Sequence, residues 1–276
     1  MPICLAAVLV AADQPKLTEQ ELITRHLASI GDAAALSAAR SCGAAFAVRY
    51  QILLGGAGTA DGQAKLLSDG RKLRLVMEFN SNQYRGEDLV SDGSKAGVAT
   101  TTAGLRDPLG GFLYTRRDLL TQGLIGGTLS TAWPLLDTGS LQPKLHYNGL
   151  KKIDGRDLVE LRYEPRKGAS DARVFLYFEP ETYRHVLTLY RVDVPVTEAR
   201  SLNPGTKSQN GAATQEGKIT LKESFSDFRV SDGLTLPTHW TLELTNEGQS
   251  TWTMRWDMTS TALVHSAMDP AAFKVP

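Results

Sequence analysis

The residues best suited to hold a metal or move a proton near neutral pH are five histidines: His26, His146, His185, His239 and His265. They lie far apart, and none forms a His-x-x-x-His, His-Glu-x-x-His or Cys/His ligand pair. They read as lone side chains, and no metal is expected. Glu179 and Glu181 flank Pro180, which suits a turn better than an acid and base facing each other across a scissile bond. No Gly-x-Ser-x-Gly elbow exists for a serine hydrolase. Gly55-Gly56-Ala57-Gly58 invites a nucleotide-binding reading. However, Thr59-Ala60-Asp61 follows where a phosphate loop needs Lys-Ser/Thr, and Asp61 stands in place of the third glycine of a dinucleotide motif. A flexible β-turn fits better. Cys4 and Cys42 are too few for a disulfide framework, and Cys42 beside Gly43 reads as a small apolar residue. The expectation is no catalytic residue, no metal, no cofactor and no enzyme.

What the sequence does offer is apolar surface. Trp240, Leu242 and Leu244 share one strand parity, as do Trp252, Met254, Trp256 and Met258 after the Asn246-Glu247-Gly248-Gln249 turn. Their neighbours are largely Thr, with Glu243, Arg255 and Asp257, so one face is aromatic and the other wet. Such a face either fills a core or walls a cavity. Trp and Met suit a wall because their large, polarizable surfaces accept varied acyl shapes. A cover for it is expected in the middle of the chain, where Leu120, Leu124, Leu129, Trp133 and Leu136 recur at spacings of three to five. Gly123, Gly126 and Gly127 interrupt that pattern, each costing about 1 kcal/mol in a helix interior. The helix must therefore be broken, bent or held up by tertiary contacts, as a lid over an apolar cavity or as a kinked helix packed on a sheet.

The elements that position these residues begin with Thr18-Glu19-Gln20-Glu21, a capping box, followed by the stripe Leu22, Ile23, Leu27 and Ile30, with Gly31 as a left-handed stop. Asp32 can cap a second, Ala-rich helix ending near Cys42-Gly43. From Phe46 the period becomes two: Phe46, Val48, Tyr50 and Ile52 alternate, then Leu73, Leu75, Met77 and Phe79. A Gly-rich bend over 55–62 and turns at Ser68-Asp69-Gly70, Ser91-Asp92-Gly93-Ser94 and Asp154-Gly155 separate the strands. Further strands are expected over 145–153, 158–163, 174–178 and 186–194. Residues 198–217 carry almost no large apolar side chain and read as a long mobile loop inside one domain. Helices followed by hairpin-linked strands make an antiparallel α+β architecture.

The chain of 276 residues can bury a core unaided. Thirty Lys and Arg balance thirty Asp and Glu, which argues against nucleic acid as partner. Ile3 to Ala12 is an uncharged run too short to span a bilayer but suited to a signal-peptide core, with Val10-Ala11-Ala12 as a small-residue cleavage site. Residues 1–12 are thus expected to be a signal remnant, and the protein periplasmic or secreted, with no transmembrane segment.

The whole pattern resembles the outer-membrane lipoprotein carrier superfamily of the LolA/LolB type. Three places carry the likeness: the N-terminal helix before the long strand Phe46 to Leu54; Asp88-Leu89-Val90-Ser91-Asp92-Gly93-Ser94 ahead of a proline and a lid-like segment; and the closing Met268-Asp269-Pro270-Ala271-Ala272-Phe273-Lys274-Val275-Pro276. Asp232-Gly233-Leu234-Thr235-Leu236-Pro237 is similar to a turn and strand of related periplasmic proteins. The resemblance implies an unclosed, curved β-barrel over residues 13–276 whose interior accepts lipid or lipoprotein acyl chains, with no chemistry on the ligand. Two other classes stay open: an envelope module that binds a protein partner, and a hydrolase acting on a lipid or glycan.

Overall fold

The computed structural model describes residues 17–99, 107–166, 171–195, 216–248 and 251–276. The signal-remnant reading, Cys4 and most of the expected loop over 198–217 lie outside these residues; 216 and 217 already pair with the preceding strand.

Two helices come first, α1 (Glu19–Ile30) and α2 (Ala33–Ala38). The capping box forms: the Glu21 amide donates to Thr18 Oγ1, and the Thr18 amide donates to Glu21 Oε2 at 2.8 Å. Gly31 does not stop α1 by a left-handed turn, since its φ of 174° is extended. It is needed for room, because a Cβ there would meet Leu234 Cδ2 at 2.8 Å. The Asp32 side chain caps α2, which ends at Ala38 and not near Cys42. By Ser41 the backbone is already claimed by the sheet, with Ser41 Oγ bonded to Asp69 Oδ1. Cys42 is a free, buried thiol within that strand.

The described residues then form twelve antiparallel strands: β1 (Ser41–Leu54), β2 (Thr59–Asp69), β3 (Lys72–Phe79), β4 (Gly86–Ser91), β5 (Ala96–Val98), β6 (Lys144–Ile153), β7 (Arg156–Glu164), β8 (Arg173–Phe178), β9 (His185–Pro195), β10 (Glu216–Ser231), β11 (Leu234–Glu247) and β12 (Trp252–Val264). The order across the sheet is β5-β4-β3-β2-β1-β12-β11-β10-β9-β8-β7-β6, so β5 and β6 are its two edges and the barrel is not closed. Hairpins turn at Asp154-Gly155 and Asp232-Gly233, where both residues of each pair have positive φ, the two-residue geometry that matches strand twist. The Gly-rich bend tightens to 55–58, and Gly62 lies within β2.

Between the two edge strands runs the mid-chain segment. It holds α3 (Pro108–Thr115), α4 (Asp118–Thr121), single 3-10 turns at Gly127–Leu129 and Pro134–Leu136, and α5 (Thr138–Leu141). The expected amphipathic helix is thus a string of short pieces, and burial runs unbroken over Gly123–Ser130 and again over Ala132–Leu135 instead of along one stripe. Gly123 explains a break: its φ is +70°, and a Cβ would stand 1.9 Å from the Ala132 carbonyl oxygen.

The segment also reveals the curvature of the sheet. A Cβ on Gly126 would touch Leu66 of β2 at 2.9 Å, while the Gly126 amide reaches Glu223 of β10 at 2.7 Å. Four strand spacings separate β2 from β10, about 19 Å along a flat sheet. Both can meet one residue only if the sheet bends into a trough around it.

Candidate functional site: the filled trough

The strand register sets the trough wall. One row runs Ile52–Met254–Leu244–Leu221–Tyr190–Val174–Tyr163 across seven strands, and the next runs Tyr50–Trp256–Leu242–Glu223–Thr188–Leu176–Leu161. The wall is therefore aromatic and aliphatic, with one carboxyl near its centre. Trp240, Leu242, Leu244, Trp252, Met254, Trp256 and Met258 all point inward and are buried. Leu120, Leu124, Leu129 and Trp133 of the mid-chain segment are buried in the same continuous cluster, whereas Leu136 lies at the rim, 38% exposed. The trough is filled by the protein's own chain.

Two small openings adjoin the segment among the described residues. A gap of about 40 Å³ adjoins Leu129, and a cleft of about 210 Å³ opens where Tyr50, Ile52 and Met254 meet Tyr84, Asp107 and Pro108. Both fall below the roughly 300 Å³ at which small-ligand pockets begin. Among the described residues, neither opening is large enough for an acyl chain beneath the segment.

Polar links hold the segment down at several points. Glu223 Oε1 accepts from the Gly126 amide at 2.7 Å and from Trp240 Nε1 at 2.9 Å. Its Oε2 lies 2.9 Å from the Tyr190 hydroxyl, which also lies 2.9 Å from the Leu124 carbonyl oxygen. Tyr190 has one proton for two oxygens. Every bond is made only when Glu223 is itself protonated and donates to Tyr190, which then donates to Leu124. Burial pushes the Glu223 carboxyl up to about 7, in the direction this proton count requires.

Glu87 on β4 repeats the motif. Its Oε1 accepts from the Gly110 amide of α3 at 3.2 Å and from the Tyr84 hydroxyl at 3.3 Å, and Tyr84 in turn accepts from Trp256 Nε1. Burial, then the nearby Asp107 charge, push Glu87 up to about 8. A third link is Trp133 Nε1 donating to His26 Nε2 at 3.0 Å, while His26 Nδ1 lies 3.0 Å from the Tyr183 carbonyl oxygen. Nδ1 therefore carries the single proton, and a second proton on Nε2 would face the indole N–H. Burial lowers His26 to about 4. His185 stacks on Trp133 at 4.5 Å and bonds Thr188 Oγ1 through Nε2. Further links are the Thr131 amide on Ser68 Oγ, Thr131 Oγ1 on the Gly70 carbonyl, the Tyr163 hydroxyl on Gln122 Oε1 and the two-pronged Arg116–Asp171 ion pair at 2.8 Å.

His26 and His185 are thus not isolated, with ring centroids 6.3 Å apart, which corrects the sequence reading. The pairing is invisible in sequence because α1 and β9 are joined only through the fold. Signals for the other polar residues did exist. Glu223 shares strand parity with Ile219, Leu221 and Phe225, and His26 sits four residues from both Leu22 and Ile30 on the buried stripe. A polar residue inside an apolar period marks a buried polar partner. Among the described residues no group of His, Cys, Asp and Glu is arranged to hold a metal ion.

No family model matches this sequence, and no curated protein does. Solved structures do. The LolA superfamily protein NE2245 from Nitrosomonas europaea aligns over 94% of this chain and 98% of its own, at 12% identity and a TM-score of 0.51. A Vibrio parahaemolyticus domain described as an outer membrane lipoprotein-sorting protein aligns over 92% and 94% at 10% identity, with a TM-score of 0.45. A DUF1329 family protein from Desulfovibrio piger aligns over 92% and 96% at 11% identity, with a TM-score of 0.41. No described helix is long and apolar enough to cross a membrane. This chain, an unclosed and curved antiparallel sheet, thus shares its fold with the LolA superfamily protein of Nitrosomonas europaea.

Proposed function

We propose that this protein binds a lipid, an acyl chain or a lipoprotein in the trough, in the periplasm, and carries it without chemical change. One observation carries the reading: the trough wall is largely apolar across seven strands, and its occupant is a glycine-broken segment that packs against it through leucine and tryptophan side chains. Leu120, Leu124, Leu129 and Trp133 occupy the volume that a ligand chain would take. Binding then consists of exchanging one apolar occupant for another, so the apolar wall stays covered throughout. The fold shared with the Nitrosomonas LolA superfamily protein and the uncharged Ile3 to Ala12 run support an envelope location.

A reversible lock tests this. Ser68 and Thr131 meet through the Thr131 amide at 3.0 Å. Ser68→Cys with Thr131→Cys, in a Cys42→Ala background, ties the segment to β2 when oxidised. A fluorescent phospholipid should bind the reduced protein stoichiometrically and the oxidised protein not at all. Native mass spectrometry of gently purified protein should show lipid adducts. Absence of adducts together with absence of uptake by the reduced and parent proteins would sink the reading.

A further inference from the structure

Resting on the proposed departure of the segment from the trough, we infer that Glu87 and Glu223 on the sheet, with His26 on α1, are proton-dependent latches that set when the trough opens. Each latch spans the interface between segment and scaffold; the proton count closes in one state only at Glu223 and His26, while at Glu87 burial beside the Asp107 charge opposes ionisation. Neutral Glu223 completes the chain Oε2–H to Tyr190 to Leu124 while Oε1 takes the Gly126 amide. Ionised Glu223 competes with Leu124 for the one Tyr190 proton, so one link to the segment is lost. Neutral His26 accepts from Trp133; cationic His26 has no lone pair to offer.

The surroundings give little relief to a charge. Facing Glu223 are Tyr190 and Thr188 from β9, Trp240 from β11 and the Gly126 amide from the segment, with the Leu124 carbonyl beyond Tyr190 and His185 beyond Thr188. Facing Glu87 are Tyr84, the Gly110 amide and, electrostatically, Asp107 beside α3, whose negative charge opposes ionisation. Facing His26 are Trp133, Phe178, His185 and the Tyr183 carbonyl. Among the described residues, no Lys or Arg appears among these partners. A charge formed at any of the three sites is stabilised by letting the segment move out and water in. The latches hold at mildly acidic pH, give way on the alkaline side through the carboxyls, and give way in stronger acid through His26.

Glutamine is a permanent copy of the neutral acid: its amide donates to Tyr190 where Oε2–H did, and its carbonyl accepts the backbone amide. Hydrogen exchange of the segment amides, corrected for the intrinsic pH dependence of exchange, reads the latches without any ligand. In the parent protein, protection at Gly110 and Gly126 should fall about tenfold or more between pH 6.5 and 8. In Glu87→Gln/Glu223→Gln it should stay level over that range. Flat protection in the parent protein overturns the inference, and so does a double variant that loses protection as the parent does. Fluorescent-lipid uptake over the same pH range separates the two ideas. Protection that falls without uptake retains the latches and removes the carrier, whereas uptake with pH-independent protection does the reverse.

Discussion

At the scale of single residues, the informative side chains are the polar ones that the apolar wall tolerates. Trp133 joins three roles: it fills the trough, stacks on His185 and satisfies His26. Trp133→Phe keeps an aromatic ring but leaves His26 Nε2 buried without its donor. Urea denaturation at pH 6 should show a loss of about 1–3 kcal/mol, the cost of orphaning a buried acceptor. A loss within 0.5 kcal/mol would mean that water reaches the imidazole. The sequence hid this pair because nothing local links residue 26 to residue 133, while Glu223 was legible in principle as a carboxylate in an apolar parity. Trp240, Leu242, Leu244, Trp252, Met254, Trp256 and Met258 were legible as one inward face for the same reason: alternation is a property of neighbours in the chain. Whether that face meets space or another part of the protein is not a local property.

At the scale of elements, the strands could be read because each follows a period of two and ends at a turn with its own chemistry. The mid-chain segment could not. Its leucines recur near helical spacing, yet no helix face is free when a segment lies inside a trough, and its glycines answer to tertiary neighbours. Gly123→Ala puts a Cβ against the Ala132 carbonyl at a positive φ, so the local fold of the segment must give way. A destabilisation of at least about 2 kcal/mol is expected from clash and backbone strain together. The near-ultraviolet circular dichroism of Trp133 should weaken while the far-ultraviolet strand signal persists. Loss of both would show that sheet and segment fold as one unit.

At the scale of the whole molecule, opposing titrations shape stability. Glu223 rises from 4.5 to about 7 and Glu87 from 4.5 to about 8, so over those ranges the folded state holds protons that the unfolded chain has released. Stability therefore falls as pH rises through them, by roughly 3 kcal/mol for Glu223. His26 falls from 6.5 to about 4 and burial lowers His185 too, so the unfolded chain binds protons that the folded one refuses. Stability therefore falls as pH drops below 6.5. The two trends oppose each other between about 4.5 and 6.5, leaving a plateau with a shoulder on each side. Denaturation midpoints from pH 3.5 to 9 should trace it, and Glu223→Gln should lift only the alkaline shoulder. A steady rise from pH 5 to 8 would contradict the proton counts.

The segment leaves the sheet at β5, one edge, and rejoins it at β6, the other. It is strung across the trough like a bowstring, able to bow outward but never to drift away. Any guest thus competes with a rival whose local concentration is fixed by its tethers and cannot be diluted. Such a host should hold its cargo loosely and surrender it without an outside pull, and severing the string near Gly139, where the surroundings are open, should turn it into a tight trap.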